Sequence, residues 1–368
     1  MPGQSNNVGR IFRMISNTID SLLTTQPIMD RQSPCVSVVI PTRNRRQLVL
    51  RAIHSALRQT FTDIEVIAVI DGPDPDTVAA LGSITDSRLR VLTVEHSVGG
   101  AEARNLGISA ARGNWIALLD DDDEWLPEKT EKQLSIAEAA GSPYILVFSR
   151  MIARLPNIEF LWPRRLPKVG EDMSEYLFCR NGLTFGEGFL QTSSFFASRQ
   201  MFLEVPFRRD QKRFQDTDWI LRACAHPKST VAVAPEALVV YYMDDQRESV
   251  SRKPDWAYLH NWAVENRALF TPRAFSFFLA TQCVPRAAKQ RQPMTVFFRL
   301  LRECMFDGEA NATCLFLCGL FWFVPEDARH RLRDALSGER KQERALTKFG
   351  GTKPSSTRAF GCGYRENL

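Results

Sequence analysis

The sequence predicts an α/β fold built around a mostly parallel sheet, and three observations predict it. From position 35 onward short apolar runs alternate with amphipathic stretches, the rhythm of βαβ units. Each apolar run ends in a loop of polar or turn-forming residues. The chain has 368 residues, 44% hydrophobic and 24% charged, enough to bury one large core and carry an appendage.

The elements follow in order. "VSVVI" (36 to 40) is the first strand. Leu48, Ala52, Ala56 and Leu57 then recur at helical spacing before "IEVIAVI" (64 to 70), the second strand, which runs into the turn formers "DGPDPD". "LRVLTV" (89 to 94) is the third strand, and Ala103, Leu106 and Ala110 mark the helix after it, with Gly113 as its stop. "WIALL" (115 to 119) is the fourth strand, and it delivers four consecutive aspartates, Asp120 to Asp123.

In an open α/β sheet ligands gather at the carboxyl ends of the strands. Those ends offer Pro41-Thr42-Arg43-Asn44, Asp71-Gly72, Gly99-Gly100 leading to Arg104, and the aspartate run. None is the Gly-x-Gly-x-x-Gly turn of a dinucleotide fold, and no Walker-type phosphate loop occurs. Two carboxylates roughly 7 Å apart repel by about 2 kcal/mol at an effective dielectric near 20, so the aspartate run calls for a positive partner. If strand geometry persists for two more residues, Asp120 and Asp122 project to one side. An Asp-x-Asp pair at a strand end suits Mg²⁺ or Mn²⁺, hard cations that take oxygen ligands and share them with substrate phosphates. The alternative is a solvated acidic turn. Its place after an apolar strand, before Trp125 and a helix opened by Pro127 at its first turn, favours the metal reading.

The segments "SVVIPTRNR", "GGAEARNLGI" and "WIALLDDDDEWLPEKTEKQ" resemble the successive motifs of family 2 glycosyltransferases with the GT-A fold, closely over about 36 to 135 and more loosely to about 225. The resemblance implies a Rossmann-like mixed sheet, a nucleotide-diphospho-sugar donor, an Asp-x-Asp metal site and transfer with inversion at the anomeric carbon. It places Asp120 and Asp122 at the Asp-x-Asp positions, with Asp120 near the ribose or a metal water. It sets Pro41, Thr42 and Arg43 along the nucleotide, Asp71 at an aspartate that reads the base, usually uracil, and Arg104 at the Arg-Asn pair of the third loop. Structural alternatives exist: Pro41 as a strand end, Asp71 as a turn residue, Arg104 as the partner of Glu102 or a surface carboxylate. The family commonly has two acids before the glycine, where this chain has Ile70 and Asp71.

An inverting transfer also needs a general base for the acceptor hydroxyl. "RFQDTDWILRACA" (213 to 225) resembles the family segment that supplies it and puts Asp216 at the base position, with Asp218 two residues on and Gln215 where Glu is common. The structural alternative is that Asp216 caps a helix beginning at Thr217. "LQTSSFFASR" (190 to 199) resembles the segment leading to the acceptor region, and "GLTFGEG" (182 to 188) reads as a mobile acceptor loop given its spread of Gly182, Gly186 and Gly188. "ALVVYYMDDQRESVS" (237 to 251) looks like the closing strand and loop, without the histidine often found there.

The organisation expected is an N-terminal extension 1–34, a catalytic domain 35–252 with a nucleotide-sugar half 35–125 and an acceptor half 126–252, a helical region 253–340 and a flexible tail 341–368. The apolar stretch from Ala312 to Val324 would span about 20 Å as a helix, short of a roughly 30 Å hydrocarbon layer. The helical region therefore either packs on the catalytic domain or lies as amphipathic helices at a membrane face, where lipid-linked saccharide acceptors sit. No continuous apolar signal segment opens the chain. The eight cysteines are scattered without CxxC or zinc spacing, which reads as reduced thiols in a cytosol, and the Asn311 sequon reads as chance. A net charge of +5 is too slight to argue for nucleic acid. The expected location is cytoplasmic, or peripheral at the cytoplasmic membrane face. The expected activity is metal-dependent sugar transfer from a UDP-sugar in cell-surface polysaccharide synthesis; the rival is a catalytically silent nucleotide-binding scaffold of polysaccharide assembly.

Overall fold

The computed structural model describes residues 33–155, 158–180, 187–243, 255–325 and 328–329. The extension before 33, positions 182–186 including Gly182 and Gly186, the loop 244–251 and the tail from 341 lie outside the described residues.

One compact unit comprises the described residues 33–167 and 189–243. Its first four strands form where the apolar runs predict them: β1 (Val36–Thr42), β2 (Ile64–Asp71), β3 (Leu89–Val94) and β4 (Trp115–Leu118). β1 and β2 are buried throughout, as strands covered on both faces must be, whereas β3 is a half-buried edge. Three helices connect them: α1 (Arg46–Leu57), α2 (Pro75–Gly82) and α3 (Gly100–Ala110). The turn formers after β2 conceal α2, which starts on Pro75 with the Asp74 carboxylate accepting from Thr77 N at 3.1 Å.

The buried face of α3 carries Ala103, Arg104, Gly107 and Ile108, while Leu106 and Ala110 are only half-buried. Gly107 is what lets α3 settle on β1 and β2. A Cβ there would crowd the Val39 side chain and stand 3.0 Å from Val69 Cγ2.

The remaining strands are β5 (Glu124–Trp125), β6 (Ile145–Arg154), β7 (Glu159–Trp162), β8 (Phe196–Ser198) and β9 (Thr230–Tyr242). All nine join one sheet in the order β3-β2-β1-β4-β8-β6-β9-β5, with β7 on β6. The mostly parallel expectation holds for β3-β2-β1-β4 and for the β6–β9 pair, but not for the sheet as a whole. β8 enters antiparallel between β4 and β6, β5 and β7 are antiparallel additions, and β6 pairs parallel with β9. The sheet is thus the mixed, Rossmann-like one that the GT-A resemblance implies.

A second compact unit groups 168–180 and 187–188 with 255–329, so the partition is not a single cut at 252. It holds α5 (Met173–Phe178), α8 (Trp256–Glu265), α9 (Pro272–Phe278), α10 (Val284–Lys289), α11 (Met294–Phe306) and α12 (Ala312–Phe323). In the first unit stand α4 (Lys129–Ala140), α6 (Arg199–Glu204) and α7 (Gln215–Cys224). The second unit has an aromatic core in which Phe178 meets Phe278 edge-on at 5.0 Å and Trp262 and Phe270 pack at 5.7 Å. Gly188 fits there because a Cβ would collide with the Tyr176 carbonyl, a packing role rather than a hinge. Asn311 likewise has a local task, capping α12 by accepting from Cys314 N at 2.9 Å.

Candidate active site

The sheet reverses direction of build between β1 and β4, and the candidate site forms at that switch point. β1 pairs with β4 only as far as Val39–Leu118 but with β2 as far as Thr42–Ile70. Pro41, which has no N–H to give, therefore sits where the sheet splays open. Across the split, Thr42 Oγ1 donates to Asp121 at 2.8 Å.

Strand geometry does not persist past Leu118. The aspartates form a tight turn closed by Asp123 N donating to the Asp120 carbonyl at 3.2 Å. The condition for simple alternation of Asp120 and Asp122 is not met, and the four side chains part into two kinds. Asp121 and Asp123 are buried at 5% and 0% exposure, whereas the carboxylates of Asp120 and Asp122 keep 21% and 27%. Asp120 pairs with Arg104 at 2.5 Å and accepts from Gln191 at 2.9 Å. Arg45 reaches both Asp121, at 3.0 Å, and Asp122, at 3.2 Å. Burial pushes the Asp121 carboxyl up to about 6, against the pull of Arg45.

Asp123 has neutral donors only. Ser193 Oγ gives it a hydrogen bond at 2.6 Å, Gln191 Nε2 one at 2.9 Å and Tyr242 N one at 3.3 Å. Burial, then the charges of Asp122 and Asp120, drive its pKa well above the usual carboxylate range. All three partners are neutral donors, so among the described residues no side-chain cation offsets the cost of burying this carboxyl group in its ionised form.

The turn is locked from behind. Trp125 donates through Nε1 to the Ser193 carbonyl at 2.9 Å and through its backbone N to Ser55 Oγ at 3.1 Å. Lys129, fully buried, lies 3.9 Å from the Trp125 ring centre and donates to Gln133 at 2.5 Å. Gln133 in turn donates to the carbonyls of Val147 and Ser194, which fixes the 191–194 segment. α4 begins at Lys129 rather than at Pro127, so Pro127 precedes the helix instead of opening it.

Arg104 ties the aspartate turn to α7, since its second nitrogen donates to Gln215 Oε1 at 2.9 Å. Its partner is Asp120, while Glu102 pairs with Arg209 at 2.8 Å. Asp216 follows Gln215 at the start of α7. The helix starts at Gln215 with Phe214 ahead of it at φ 62°, so Asp216 is inside the first turn and is not the cap of a helix beginning at Thr217. It accepts from Thr217 N at 2.8 Å and is half-buried. Burial raises its pKa first of all; Thr217 N and Arg104 pull down and the Asp120 charge pushes up. Asp218 is instead a buried anchor, held by Arg208 at 3.1 Å and Arg222 at 2.8 Å.

Asp71 closes the end of β2. Its carboxylate accepts from Ser97 Oγ at 2.9 Å, Val98 N at 2.6 Å and Gly99 N at 3.1 Å, so it shapes the loop that leads into α3. Arg43, exposed, donates to the same Ser97 hydroxyl at 2.8 Å. Sequence reasoning named Pro41, Thr42, Arg43, Asp71, Arg104, Asp120, Asp122 and Asp216. It missed Arg45, Asp123, Gln191 and Ser193; the polar Gln-x-Ser inside the apolar context of "LQTSSFF" was the available signal.

Residues 37–205 match the model of the family described as Glycosyl transferase family 2. Among curated relatives, the chain is 39% identical over 116 residues to succinoglycan biosynthesis protein ExoO of Rhizobium meliloti, covering 32% of this chain and 33% of that protein. It is 29% identical over 255 residues to amylovoran biosynthesis glycosyltransferase AmsB of Erwinia amylovora, covering 65% and 82%. It is 36% identical over 101 residues to UDP-Glc:alpha-D-GlcNAc-diphosphoundecaprenol beta-1,3-glucosyltransferase WfgD of Escherichia coli, covering 27% and 40%. The chain thus spans about a third of ExoO and two fifths of WfgD. S. aureus TarS 1–349 in complex with UDP-GlcNAc superposes with a TM-score of 0.47 at 16% identity, covering 85% of this chain and 90% of that one. Over residues 37–205 the chain is thus similar to glycosyl transferase family 2.

Proposed function

We propose that the chain is an inverting glycosyltransferase that moves a sugar from a UDP-sugar to an acceptor hydroxyl in the synthesis of a bacterial-type cell-surface polysaccharide. One observation carries the reading: Arg104 joins Asp120 to the start of α7, which brings the Asp216 carboxylate into the electrostatic field of the aspartate turn. Pro41, Thr42, Arg43 and Asp71 line the nucleotide in this reading. A carboxylate offers about four acceptor positions, and Asp71 uses three on its own loop, leaving one for a base N–H.

The donor set fits Mg²⁺ or Mn²⁺. Asp120 and Asp122 are hard oxygen ligands that retain solvent access. Asp120 and Asp122 would hold the ion, which when bound supplies charge neutralisation for the departing diphosphate. Arg104 restrains Asp120 and the first turn of α7 together. Asp216 takes the proton from the acceptor hydroxyl, and its raised pKa makes it a stronger base than an ordinary carboxylate.

The acceptor in this reading is a lipid-linked saccharide, met at the cytoplasmic face of a membrane. No helix among the described residues is long and apolar enough to cross one. On α11 and α12, Phe298, Phe306, Phe316 and Phe323 are 57–76% exposed, with Met294 and Met305 beside them in sequence, as suits a surface that rests on lipid.

The test is donor turnover with UDP- and GDP-sugars in Mg²⁺ or Mn²⁺. UDP-sugar hydrolysis or transfer in the wild type, reduced about 10²–10⁴-fold in Asp216→Asn with UDP affinity kept, supports the assignment. UDP binding without turnover, unaltered by Asp216→Asn, supports the silent scaffold instead. Vesicle sedimentation of wild type against Phe306→Ser/Phe323→Ser tests the lipid contact, and equal binding of both would remove it.

A further inference from the structure

The second unit contains a feature that sugar transfer does not use. Cys304, near the end of α11, and Cys314 and Cys318, one turn apart on α12, bring their sulfurs within 4.8 Å of one another, and all three residues are fully buried. Among the described residues this is the one group of three metal-competent side chains that converges so tightly. Sequence spacing conceals it, because the three positions follow no CxxC pattern and meet only when the α11–α12 hairpin closes.

We propose that these three cysteines form a structural site for a thiophilic divalent cation of the zinc class. A buried cysteine is commonly just a small apolar filler, and Cys283 in the same unit, buried but outside the group, fits that description. Three mutually facing sulfurs are a different arrangement. Zinc–sulfur bonds of about 2.3 Å set tetrahedral sulfurs about 3.8 Å apart, so closing the triad on an ion takes side-chain adjustments of about 1 Å. Cys314 is the third residue of α12, and Asn311 fixes that end of the helix by accepting from its backbone N.

Binding replaces S–H by S–metal bonds and releases up to three protons to solvent, with no change of oxidation state. The three sulfurs supply three of the four tetrahedral positions. The consequence is a staple between α11 and α12. Soft sulfur ligands here and hard oxygen ligands at Asp120 and Asp122 would keep the two ions distinct.

The experiment uses the full chain, purified under reducing conditions, stripped with chelator and titrated with Zn²⁺ and Co²⁺. The expected result is one equivalent of tightly held zinc, a thiolate-to-cobalt charge-transfer band and a metal-dependent rise in Tm. Cys318→Ser and Cys304→Ser should lower zinc affinity at least about 100-fold, while Cys35→Ser and Asp122→Ala keep it. If the cysteine variants do not fold, X-ray absorption on the zinc-loaded wild type decides, with sulfur neighbours at about 2.3 Å expected. Zinc binding that is equal in wild type and cysteine variants, a coordination shell of nitrogen and oxygen alone, or a disulfide within the triad of the reduced chain would each overturn the proposal.

Discussion

Two strand ends of the same sheet carry acids, and they use them differently. At the end of β2, Asp71 spends its carboxylate on its own loop, accepting from Ser97, Val98 and Gly99. At the end of β4, four acids crowd one turn, two of them buried, with Arg45 and Arg104 as their arginine partners. The first arrangement is electrostatically complete without a ligand, since backbone and hydroxyl dipoles satisfy a single charge. The second concentrates charge beyond what its partners answer. Position in a crevice is thus a weak guide by itself; the balance between a carboxylate and its partners says which strand end expects a cation.

Breaking the β4 end should cost most. Asp120→Ala removes both a proposed ion ligand and the partner of Arg104, and donor turnover should fall by about 10³, some 4 kcal/mol, while the fold persists by circular dichroism. Less than tenfold loss would mean that Arg104 and Asp120 merely pair. Next comes Asp123, whose role is support. Asp123→Ala strands the donors of Ser193, Gln191 and the Tyr242 backbone, and should destabilise the chain by about 3 kcal/mol in denaturant unfolding. Asp123→Asn, which keeps one acceptor oxygen, should cost less than half of that.

Lys129 sharpens the contrast from behind the turn. Burial drives its pKa well below that of a free lysine, so between that lowered value and about 10.5 the unfolded chain binds more protons than the folded one. Stability then rises with pH through that window, by at most about 1.4 kcal/mol per unit from this group. Lys129→Met should remove that slope; an unchanged slope would show that the ammonium is relieved by other means. The smallest effect belongs to β2. Asp71→Asn should raise KM for the UDP-sugar about tenfold with kcat nearly kept, and a loss confined to kcat would contradict a role in nucleotide binding.

The parallel half of the sheet was legible because its strands are contiguous apolar runs, the first three each followed by a helix, and local pattern decides local structure. The mixed half was not. β8 is three residues long and gains its place between β4 and β6 from pairings with strands about fifty to eighty residues away. The helix α5 groups with the C-terminal helices although it lies before β8 in sequence, a long-range choice that periodicity cannot report.

At the site, the same division holds. Asp120, Asp122 and Asp216 stand out as carboxylates at strand or helix ends. Arg45 does not, since it reaches Asp121 and Asp122 only after the chain turns at Asn44, which sits at φ 54°. Gln191 and Ser193 are ordinary polar residues until the 191–194 segment folds against the aspartate turn. The thiol triad is hidden for the same reason, in that two helices must meet before it exists.

The most direct measurement is calorimetric titration of UDP into the chain with and without Mn²⁺, repeated with Asp122→Ala. Coupled binding in the wild type, with the metal tightening UDP at least tenfold and UDP tightening the metal equally, and no coupling in the variant, is the predicted result. Equal UDP affinity with and without Mn²⁺ in the wild type would contradict the claim that the β4 turn exists to hold a dication against a diphosphate.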